Sequence, residues 1–417
     1  MPFDLGVKNQ MKHTKLSLQT SAFLCCGVLA ATASASGFRI PEISTAGTAL
    51  SNALVANPDL PGALPYNPAA MAFHEKGQLL VGVVVVQPDI SAKTDVGNNS
   101  KSKGKSTIPI PNVFASGRIN NAWTAGVAIN APFGLETNWQ AGTFGTFSGP
   151  AAALEPEHSK IEMLNINPNV AYQFGNTSIA LGIDDYQVRN LIFNTQAISI
   201  TGSGQDYGWN IGLLHAQNNW SVGLSYRSSV KVKIDGTVTA GPVTSPATAE
   251  IEFPSLLQVG ARYKVDDKLA VEFDVEQTGW SSFDTITINH SNTLVTANPI
   301  NSKNNWSDSM AYRLGATYDL SSINQLRFGY SYDETPSDDN FFSARVPGND
   351  RQMLSLGLAH KQADWTIEFA YLYMQADDRK IASSTPFTGG DPNGTTAYNG
   401  TYKLSAHLFS FGVSTQF

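Results

Sequence analysis

The sequence predicts an all-β fold, a transmembrane β-barrel of fourteen antiparallel strands that is plugged by an N-terminal hatch. Three observations support this prediction. The chain of 417 residues opens with a targeting segment, continues with long segments in which apolar and polar residues alternate, and ends in phenylalanine. Alternation with a period of two is typical of strands that have one apolar and one polar face.

The composition excludes several classes of protein. Hydrophobic residues make up 42% of the chain, charged residues 15%, and the mean hydropathy is −0.15. This is too polar for a bundle of apolar membrane helices, and the aromatic content of 10% is too high for a disordered chain. The net charge of −7 gives none of the basic excess that nucleic-acid binding requires, so we expect no nucleic-acid partner.

Residues 1–35 have the three parts of a secretory signal peptide. Lys8, Lys12 and Lys15 form a basic region, residues 21–31 are apolar, and residues 33–35 are small. The apolar run is too short to span a bilayer, which takes about 20 residues. We therefore predict cleavage after residue 35, and the true start is open between the first methionine and the one at position 11.

Residues 36–76 do not alternate cleanly, and we predict that they form the hatch. The stretch 45–55 is expected to include a short helix, and Asn67, Pro68 and Ala69 follow as part of the same domain. A barrel of fourteen strands encloses more space than its side chains can fill, because about eight strands already suffice for a filled interior. A periplasmic tail is the alternative interpretation of these residues.

Residues 77–417 are predicted to form the barrel. In residues 269–276, for example, apolar side chains alternate with alanine, glutamate and aspartate. The predicted strands lie near 78–90, 107–120, 122–133, 160–174, 177–191, 206–217, 219–235, 248–264, 267–288, 307–320, 323–333, 350–361, 364–377 and 402–417.

Strand length and residue chemistry favour a membrane barrel over a soluble β-sandwich. Many of the predicted strands exceed ten residues, whereas ordinary strands have about 5–6. Small residues and unlike charges on the polar face suit a crowded polar lumen, and backbone groups in lipid must pair internally, which closes the sheet. Aromatic residues near strand ends suggest the girdles of an outer-membrane barrel in a Gram-negative bacterium. They are Tyr186, Trp209, Trp220, Trp280, Trp306, Trp365, Tyr371 and Tyr373.

The connections between strands predict the orientation of the barrel. Short turns at 218–219 and 265–267 are expected to face the periplasm, and longer segments at 134–159, 289–306, 334–349 and 378–401 to be extracellular loops. A last strand that ends in phenylalanine, here Phe417, resembles the signal that the barrel assembly machinery reads. Outer-membrane lipid is the other expected partner, and a monomer the expected state.

No catalytic or metal-binding pattern is present in the sequence. The seven histidines are scattered, and none belongs to a spacing such as H-E-x-x-H. The chain has no G-x-S-x-G segment, and both cysteines, Cys25 and Cys26, lie in the predicted signal peptide. We therefore expect no enzyme activity, no cofactor and no metal site. Calcium binding by the acidic loop residues 333–340 stays open.

Seven segments along the chain resemble the FadL family of outer-membrane long-chain fatty acid transporters, which includes uptake proteins for aromatic hydrocarbons. The resemblance runs from residue 37 to residue 417, and the hatch departs from the family's pattern at residues 57–65, which contain three prolines. The segments, in the order of the family, are 66–71 (YNPAAM), 131–137 (APFGLET), 165–172 (NINPNVAY), 222–228 (VGLSYRS), 278–283 (TGWSSF), 330–336 (YSYDETP) and 343–351 (SARVPGNDR).

The resemblance implies uptake of hydrophobic molecules through a hatch-plugged barrel of fourteen strands. A substrate is caught in a groove between extracellular loops, passes to a pocket in the barrel and leaves sideways where the third strand is kinked. Pro132, Phe133 and Gly134 are the kink candidates, because Pro132 has no N–H and Gly134 has no side chain. A plain end of the third strand is the alternative.

The resemblance also implies basic residues that hold the carboxylate of a fatty acid. By approximate alignment they correspond to Arg189 and Lys303. Composition suggests apolar groove residues in and near the long loops, namely Leu135, Trp139, Phe144, Phe147, Leu154, Leu191, Ile192 and Phe193.

Three alternatives remain open on the sequence alone. Uptake of aromatic or aliphatic hydrocarbons by the same route would not need Arg189 or Lys303. A general porin or an adhesion barrel would share the strand pattern, and an outer-membrane hydrolase would need the catalytic residues that the sequence does not show in a motif.

Overall fold

The computed structural model describes residues 37–293 and 296–417, and these form a closed antiparallel barrel of fourteen strands. The predicted signal peptide lies outside the described residues. The first strand pairs with the last along its whole length, from Gln78 opposite Gln416 to Thr94 opposite Gly400, which closes the sheet. The predicted strand number is therefore confirmed.

Five of the strands consist of two segments separated by a short break. The strands are β1 (Gln78–Thr94), β2 (Ile108–Arg118), β3 (Trp123–Asn130 and Gly134–Asn138), β4 (Pro156–Phe174), β5 (Thr177–Thr195), β6 (Ile198–Gln217), β7 (Trp220–Arg227 and Val230–Ala240), β8 (Val243–Phe253 and Leu256–Lys264), β9 (Leu269–Thr278 and Thr285–His290), β10 (Ile300–Lys303 and Ser309–Asp319), β11 (Asn324–Asp333), β12 (Arg351–Gln362), β13 (Trp365–Ala376) and β14 (Gly400–Gln416).

The two ends of the barrel differ in the length of their connections. At one end, called the turn end, neighbouring strands are joined by two to four residues, as at 218–219 and 265–268. At the other, called the loop end, the connections 139–155, 334–350 and 377–399 are long. The predicted loops lie here, although β3, β4, β9, β10 and β14 extend into three of them. Phe417 lies at the turn end, where its N–H donates to the carbonyl of Gly77 at 3.0 Å.

Apolar side chains cover the outside of the barrel, and polar side chains point inward. On β9, Phe273 is 49% exposed, whereas Glu272 and Asp274 on either side of it are buried. Leu354 on β12 and Phe411 on β14 are similarly exposed. This arrangement is the inverse of a soluble sheet and matches a barrel in lipid. No helix in the described ranges is long and apolar enough to cross a membrane.

Three of the predicted girdle aromatics lie elsewhere. Tyr186, Trp280 and Trp306 are buried inside the barrel, so their assignment to an outer girdle is wrong. Trp280 lies in the break of β9 and Trp306 in that of β10, where the alternation that decides the facing of a side chain does not apply.

The N-terminal segment, residues 37–77, contains one short α-helix and two 3₁₀-helices. The helix α1 (Thr45–Ala49) begins where the Ser44 hydroxyl accepts a hydrogen bond from the N–H of Gly47 at 2.9 Å. It ends earlier than predicted, and Ser51 and Asn52 adopt positive φ angles of 47° and 70°. The 3₁₀-helices are Pro61–Ala63 and Pro68–Phe73.

This segment bonds to inward-facing groups of strands around the barrel. The N–H groups of Leu54 and Val55 donate to one carboxylate oxygen of Asp274 on β9, at 2.8 and 2.9 Å. On β12, the Ser355 hydroxyl lies 2.9 Å from that of Ser51. The amide of Asn67 donates to the Leu213 carbonyl of β6 at 3.0 Å, and the hydroxyls of Thr45 and Ser410 on β14 are 2.8 Å apart.

Glycine permits the close approach of this segment to the wall. A Cβ atom on Gly357 of β12 would collide with Ala49, and one on Gly329 of β11 would collide with the backbone of Leu50. The small residues on the polar face of the strands therefore make room for residues 37–77 rather than for a water-filled channel at these points.

Replacing Asp274 by alanine is expected to loosen the N-terminal segment. The two N–H groups that it accepts would remain buried without a partner, at about 1–3 kcal/mol each. Amide hydrogen exchange of residues 50–60 should therefore become faster. Asp267→Ala, a change of an exposed carboxylate in a turn, should leave that exchange unchanged, and equal rates in both variants would contradict the expectation.

Candidate functional site

The candidate site lies at the loop end of the lumen, beside the break in β3. Below the break, Asn130 of β3 pairs with Asn165 of β4, and above it Gly134 pairs with Glu162. Three β3 residues therefore stand opposite two β4 residues, which bends the strand. The break includes Pro132 and Phe133 of the predicted kink, and Gly134 is the first residue of the second segment.

The start of the N-terminal segment pairs with β3 at this break. The N–H of Ile40 donates to the Pro132 carbonyl at 2.9 Å, and the N–H of Gly134 donates to the Phe38 carbonyl at 3.0 Å. Arg39 and Phe133 form an antiparallel bridge between these two bonds. At this point β3 is therefore partnered by the N-terminal segment on an edge that would otherwise be unpaired.

Phe38 is the centre of a buried aromatic cluster. Its ring lies 4.6 Å from that of Trp280, 5.2 Å from that of Phe283 and 5.7 Å from that of Trp306, between ring centres. Phe133 and Phe253 contact the same ring at 6.2 Å. These edge-to-face and tilted ring contacts hold the N-terminal segment, the break in β3 and the wall of the barrel together.

Above this cluster lies a small cavity with a mainly apolar wall. Its volume of about 40 Å³ is well below the ~300–1,000 Å³ of sites for drug-sized ligands, so a longer ligand would have to displace side chains. Its lining includes Leu135, Ile161, Leu191, Ile192, Phe193, Ile251, Phe283, Ile286, Trp306 and Val346, together with Ser159, Lys160 and Arg345. A second apolar space of about 30 Å³ shares part of this wall, including Leu191 and Phe193.

Arg345 is the buried cation of this cavity. One guanidinium nitrogen donates to the Ser159 hydroxyl at 2.6 Å and to the Asn194 carbonyl at 3.1 Å, and the group stacks 3.6 Å from the centre of the Phe193 ring. Among the residues that the structure describes, no carboxylate forms a direct salt bridge with it, and Asp391 acts on it electrostatically from farther away. Burial lowers the pKa of its guanidinium to about 10, so it remains charged at neutral pH.

The two cations predicted from the resemblance lie outside the cavity lining. Arg189 is exposed, on the face of β5 opposite to buried Val188, and donates to the Gln187 side chain at 3.3 Å. The ammonium of Lys303 lies 5.0 Å from the centre of the Phe341 ring at the loop end. A role for either residue in binding stays a prediction.

The predicted groove residues separate into two groups. Leu135 lines the cavity, as do Leu191, Ile192 and Phe193. Trp139, Phe144 and Phe147 are buried in an aromatic core of the loops, with Phe342 and Tyr398. The indole N–H of Trp139 donates to the Ala344 carbonyl at 2.9 Å, which ties the loop after β3 to the loop before β12. These three side chains position the loops that cover the cavity.

The predicted hatch residues Asn67, Pro68 and Ala69 lie away from the cavity. The side chain of Asn67 accepts from the N–H of Ala69 at 3.1 Å and donates to the Val55 carbonyl at 2.8 Å. It thereby caps the second 3₁₀-helix and ties two parts of the N-terminal segment together.

The larger spaces of the barrel lie at the turn end. One of them, of about 580 Å³, is open to solvent and is lined by polar and charged residues that include Asp59, Lys268 and Arg327. Its chemistry suits water and ions rather than an apolar ligand. No group of three or more His, Cys, Asp or Glu side chains within 37–293 and 296–417 could hold a metal ion.

Sequence reasoning missed two residues of the site, Phe38 and Arg345. Phe38 is the first aromatic residue after the predicted cleavage point, and Arg345 lies within a segment already recognised as similar to the family. Both residues could be recognised in the sequence, but neither belongs to a strand, so alternation could not show which way their side chains face.

Comparison with known proteins places this architecture among outer-membrane proteins. The family model described as outer membrane protein transport protein (OMPP1/FadL/TodX) matches residues 26–417. The 47 kDa outer membrane protein of Pasteurella multocida is 23% identical and covers 98% of this chain and 100% of its own. The long-chain fatty acid transport protein of Escherichia coli K12 is 21% identical over 89% of this chain and 95% of its own.

Solved structures of similar fold include transporters named for different ligands. A FadL homologue from Pseudomonas aeruginosa has a TM-score of 0.77 at 17% identity and covers 92% of this chain and 100% of its own. The toluene transporter TbuX of Ralstonia pickettii has a TM-score of 0.69 at 16% identity, over 90% of this chain and 98% of its own. At these identities the likeness concerns the fold.

Proposed function

The chain belongs to the OMPP1/FadL/TodX family of outer membrane transport proteins, and from that premise we propose that it takes up long-chain fatty acids or similar hydrophobic molecules. It is an outer-membrane β-barrel of a Gram-negative bacterium, and its family is one of transport proteins rather than enzymes. The family model covers nearly the whole chain, from residue 26 to the last residue.

One observation carries the proposal of an acidic ligand. Arg345 is a buried cation in an apolar cavity, and among the described residues no carboxylate forms a direct salt bridge with it, although Asp391 acts on it electrostatically from farther away. A buried charge without a directly bonded counter-charge is costly, and a ligand carboxylate would supply one together with charge-assisted hydrogen bonds. The apolar wall would receive the hydrocarbon chain, which gains about 0.8 kcal/mol per buried CH₂ group.

The proposed route has three steps. The loops at the loop end, which faces the outside, capture the substrate and deliver it to the cavity below them. The substrate then leaves sideways into the membrane, between β2 and the break at Pro132. Lateral exit spares an apolar molecule the passage through the polar turn end, where the 580 Å³ space is lined by charged residues.

Residues 37–77 would act as the plug of the barrel. Their hydrogen bonds to β6, β9, β12 and β14 support this role, because those strands lie at separate points of the circumference. A plugged barrel conducts few ions, which would distinguish this protein from a general porin. We further propose a monomer in outer-membrane lipid, assembled by the machinery that recognises Phe417.

Uptake of aromatic or aliphatic hydrocarbons is the second candidate. The small volume of the cavity, about 40 Å³, and its aromatic wall favour a compact ligand. A neutral hydrocarbon would bind beside Arg345 without using its charge.

Replacing Arg345 by glutamine is expected to distinguish these candidates. Oleate binding to the purified protein should weaken roughly 10- to 150-fold, because a hydrogen bond to a charged group contributes about 1.5–3 kcal/mol. Toluene binding should change little, and Arg345→Lys should retain part of the oleate affinity. Competition measured by native mass spectrometry provides both affinities.

Arg189→Gln and Lys303→Gln test the cations predicted from the resemblance in the same assay. If either of these two variants weakens oleate binding while Arg345→Gln does not, the oleate carboxylate binds near the altered residue and the role proposed for Arg345 is wrong. If the unaltered protein binds toluene but not oleate, the hydrocarbon candidate replaces the fatty acid.

A further inference from the structure

The backbone pairing between β2 and β3 ends well before either strand reaches the loop end of the barrel. Its highest pair is Val113 opposite Ile129. Above it, β2 continues for five residues, Ile108–Asn112, which pair with β1 and, within the described chain, with no residue of β3. The gap closes at the top, where the N–H of Lys103 donates to the Asn138 carbonyl at 2.7 Å.

The direction of the β2 backbone follows from the bond at its lower end. The N–H of Ile119, the residue after β2, donates to the Trp123 carbonyl at 2.8 Å and continues the register in which Arg118 pairs with Thr124, so the odd-numbered residues of this ladder point their N–H groups toward β3. The pairing of β2 with β1 runs from Ser116 to Ile108 without a register shift. Because N–H groups alternate in direction along a strand, positions 113, 111 and 109 also face β3.

Positions 109 and 111 are both proline. Pro109 and Pro111 therefore carry no N–H at the two positions where β2 would donate to β3 above Val113. Their rings are exposed on the outside of the barrel, whereas Ile108 and Ile110 face inward. The ladder stops at Val113, two residues short of Pro111.

We propose that Pro109 and Pro111 form the stable edge of the lateral exit. A gap in a membrane barrel leaves N–H groups without partners in lipid, where each unpaired group costs several kcal/mol. The prolines remove both donors from β2. On the opposite edge, the Phe38 carbonyl accepts from the N–H of Gly134. The exit thus depends on β2 as well as on the break in β3.

The interior behind this edge has the chemistry of an exit path. Ile110 packs in a buried apolar cluster with Val84, Leu372 and Leu408, in contrast to the polar lumen near β9. Ile40, Ile108 and Ala131 border the same cluster. An apolar molecule would therefore meet apolar side chains on its way to the gap.

The assignment of an exit rests on the proposed function, so the test has one readout that does not depend on transport. In the double variant Pro109→Val and Pro111→Val, two donors are restored. In one outcome the ladder between β2 and β3 extends toward the loop end, so that amide exchange of residues 131–137 slows and oleate uptake falls to the background of cells without the protein. In the other outcome the new N–H groups stay unpaired, so that the unfolding temperature falls. Both results support the proposal.

Pro246→Val is the matched control, because Pro246 is an exposed proline on β8 opposite Thr237, far from the gap. A double variant that resembles this control in exchange, uptake and unfolding temperature would overturn the proposal. Should the double variant not fold, Pro111→Ala alone provides the exchange and stability readouts. If the unaltered protein neither binds nor takes up oleate, the proposed function fails while the exchange readout still decides the role of the prolines.

Discussion

Replacing Phe38 by alanine is expected to release the N-terminal segment from the break in β3. The ring contacts five other aromatic rings and is 3% exposed, and removal of a buried phenylalanine side chain costs about 3–5 kcal/mol. Without this ring, the hydrogen bond from Ile40 to Pro132 and the one from Gly134 to residue 38 are expected to open more often. Amide exchange at residues 37–43 and 134 should therefore become much faster.

The same change should alter ligand binding. Phe38 lines the cavity, so its loss enlarges the space and removes apolar area that a ligand would contact. Phe369→Ala is a suitable control, since Phe369 is 50% exposed on the outside of β13. If exchange in the Phe38 variant matches that of this control, the aromatic cluster does not hold the segment in place.

Replacing Arg313 by methionine is expected to give the second large effect. Arg313 on β10 lies 3.3 Å from Glu276 and 3.1 Å from Asp333, and all three side chains are buried. Breaking a buried ion pair by removing one partner costs about 3–5 kcal/mol, because the charge that remains is buried with less compensation. Two carboxylates lose a partner here.

The effect should spread to the N-terminal segment through the other cations of the network. Arg39 lies 2.8 Å from Glu276, and Arg351 lies 3.3 Å from Asp333. Urea unfolding in lipid vesicles should show a lowered midpoint for Arg313→Met. Lys76→Met removes an exposed pair with Asp364 and should cost at most about 1 kcal/mol. Equal losses in the two variants would mean that the buried network contributes no more than a surface pair.

Strand number and facing could be predicted because both follow from local alternation. Glu272, Asp274 and Glu276 face inward as the period of two requires, and the count of fourteen strands is confirmed. The pattern fails where a strand is irregular. In β5 the pairing with β6 shifts between Val188 and Leu191, so alternation alone does not decide which way Arg189 faces, and its role in binding, suggested by the resemblance, stays a prediction.

The packing of the loops also could not be predicted from the sequence. Trp139 and Phe144 are apolar residues in a long loop, which suggested a capture groove. In the structure they are buried against Phe342 and Tyr398 from two other loops. A sequence shows that such residues will avoid water, but which neighbours bury them depends on segments that are about 200 to 260 residues away along the chain.

The sequence by itself predicted the closed barrel and its outward apolar face, because the alternation that indicates them depends on neighbouring residues along each strand, and the resemblance to the family suggested a kink at Pro132. Only the tertiary structure decided that Phe38 joins the N-terminal segment to that break, that Arg345 is the buried cation of the cavity, and that Pro109 faces the gap beside β3. These relations join residues far apart in the chain. Burial and pairing arise from the position of other strands, and no local pattern encodes that position.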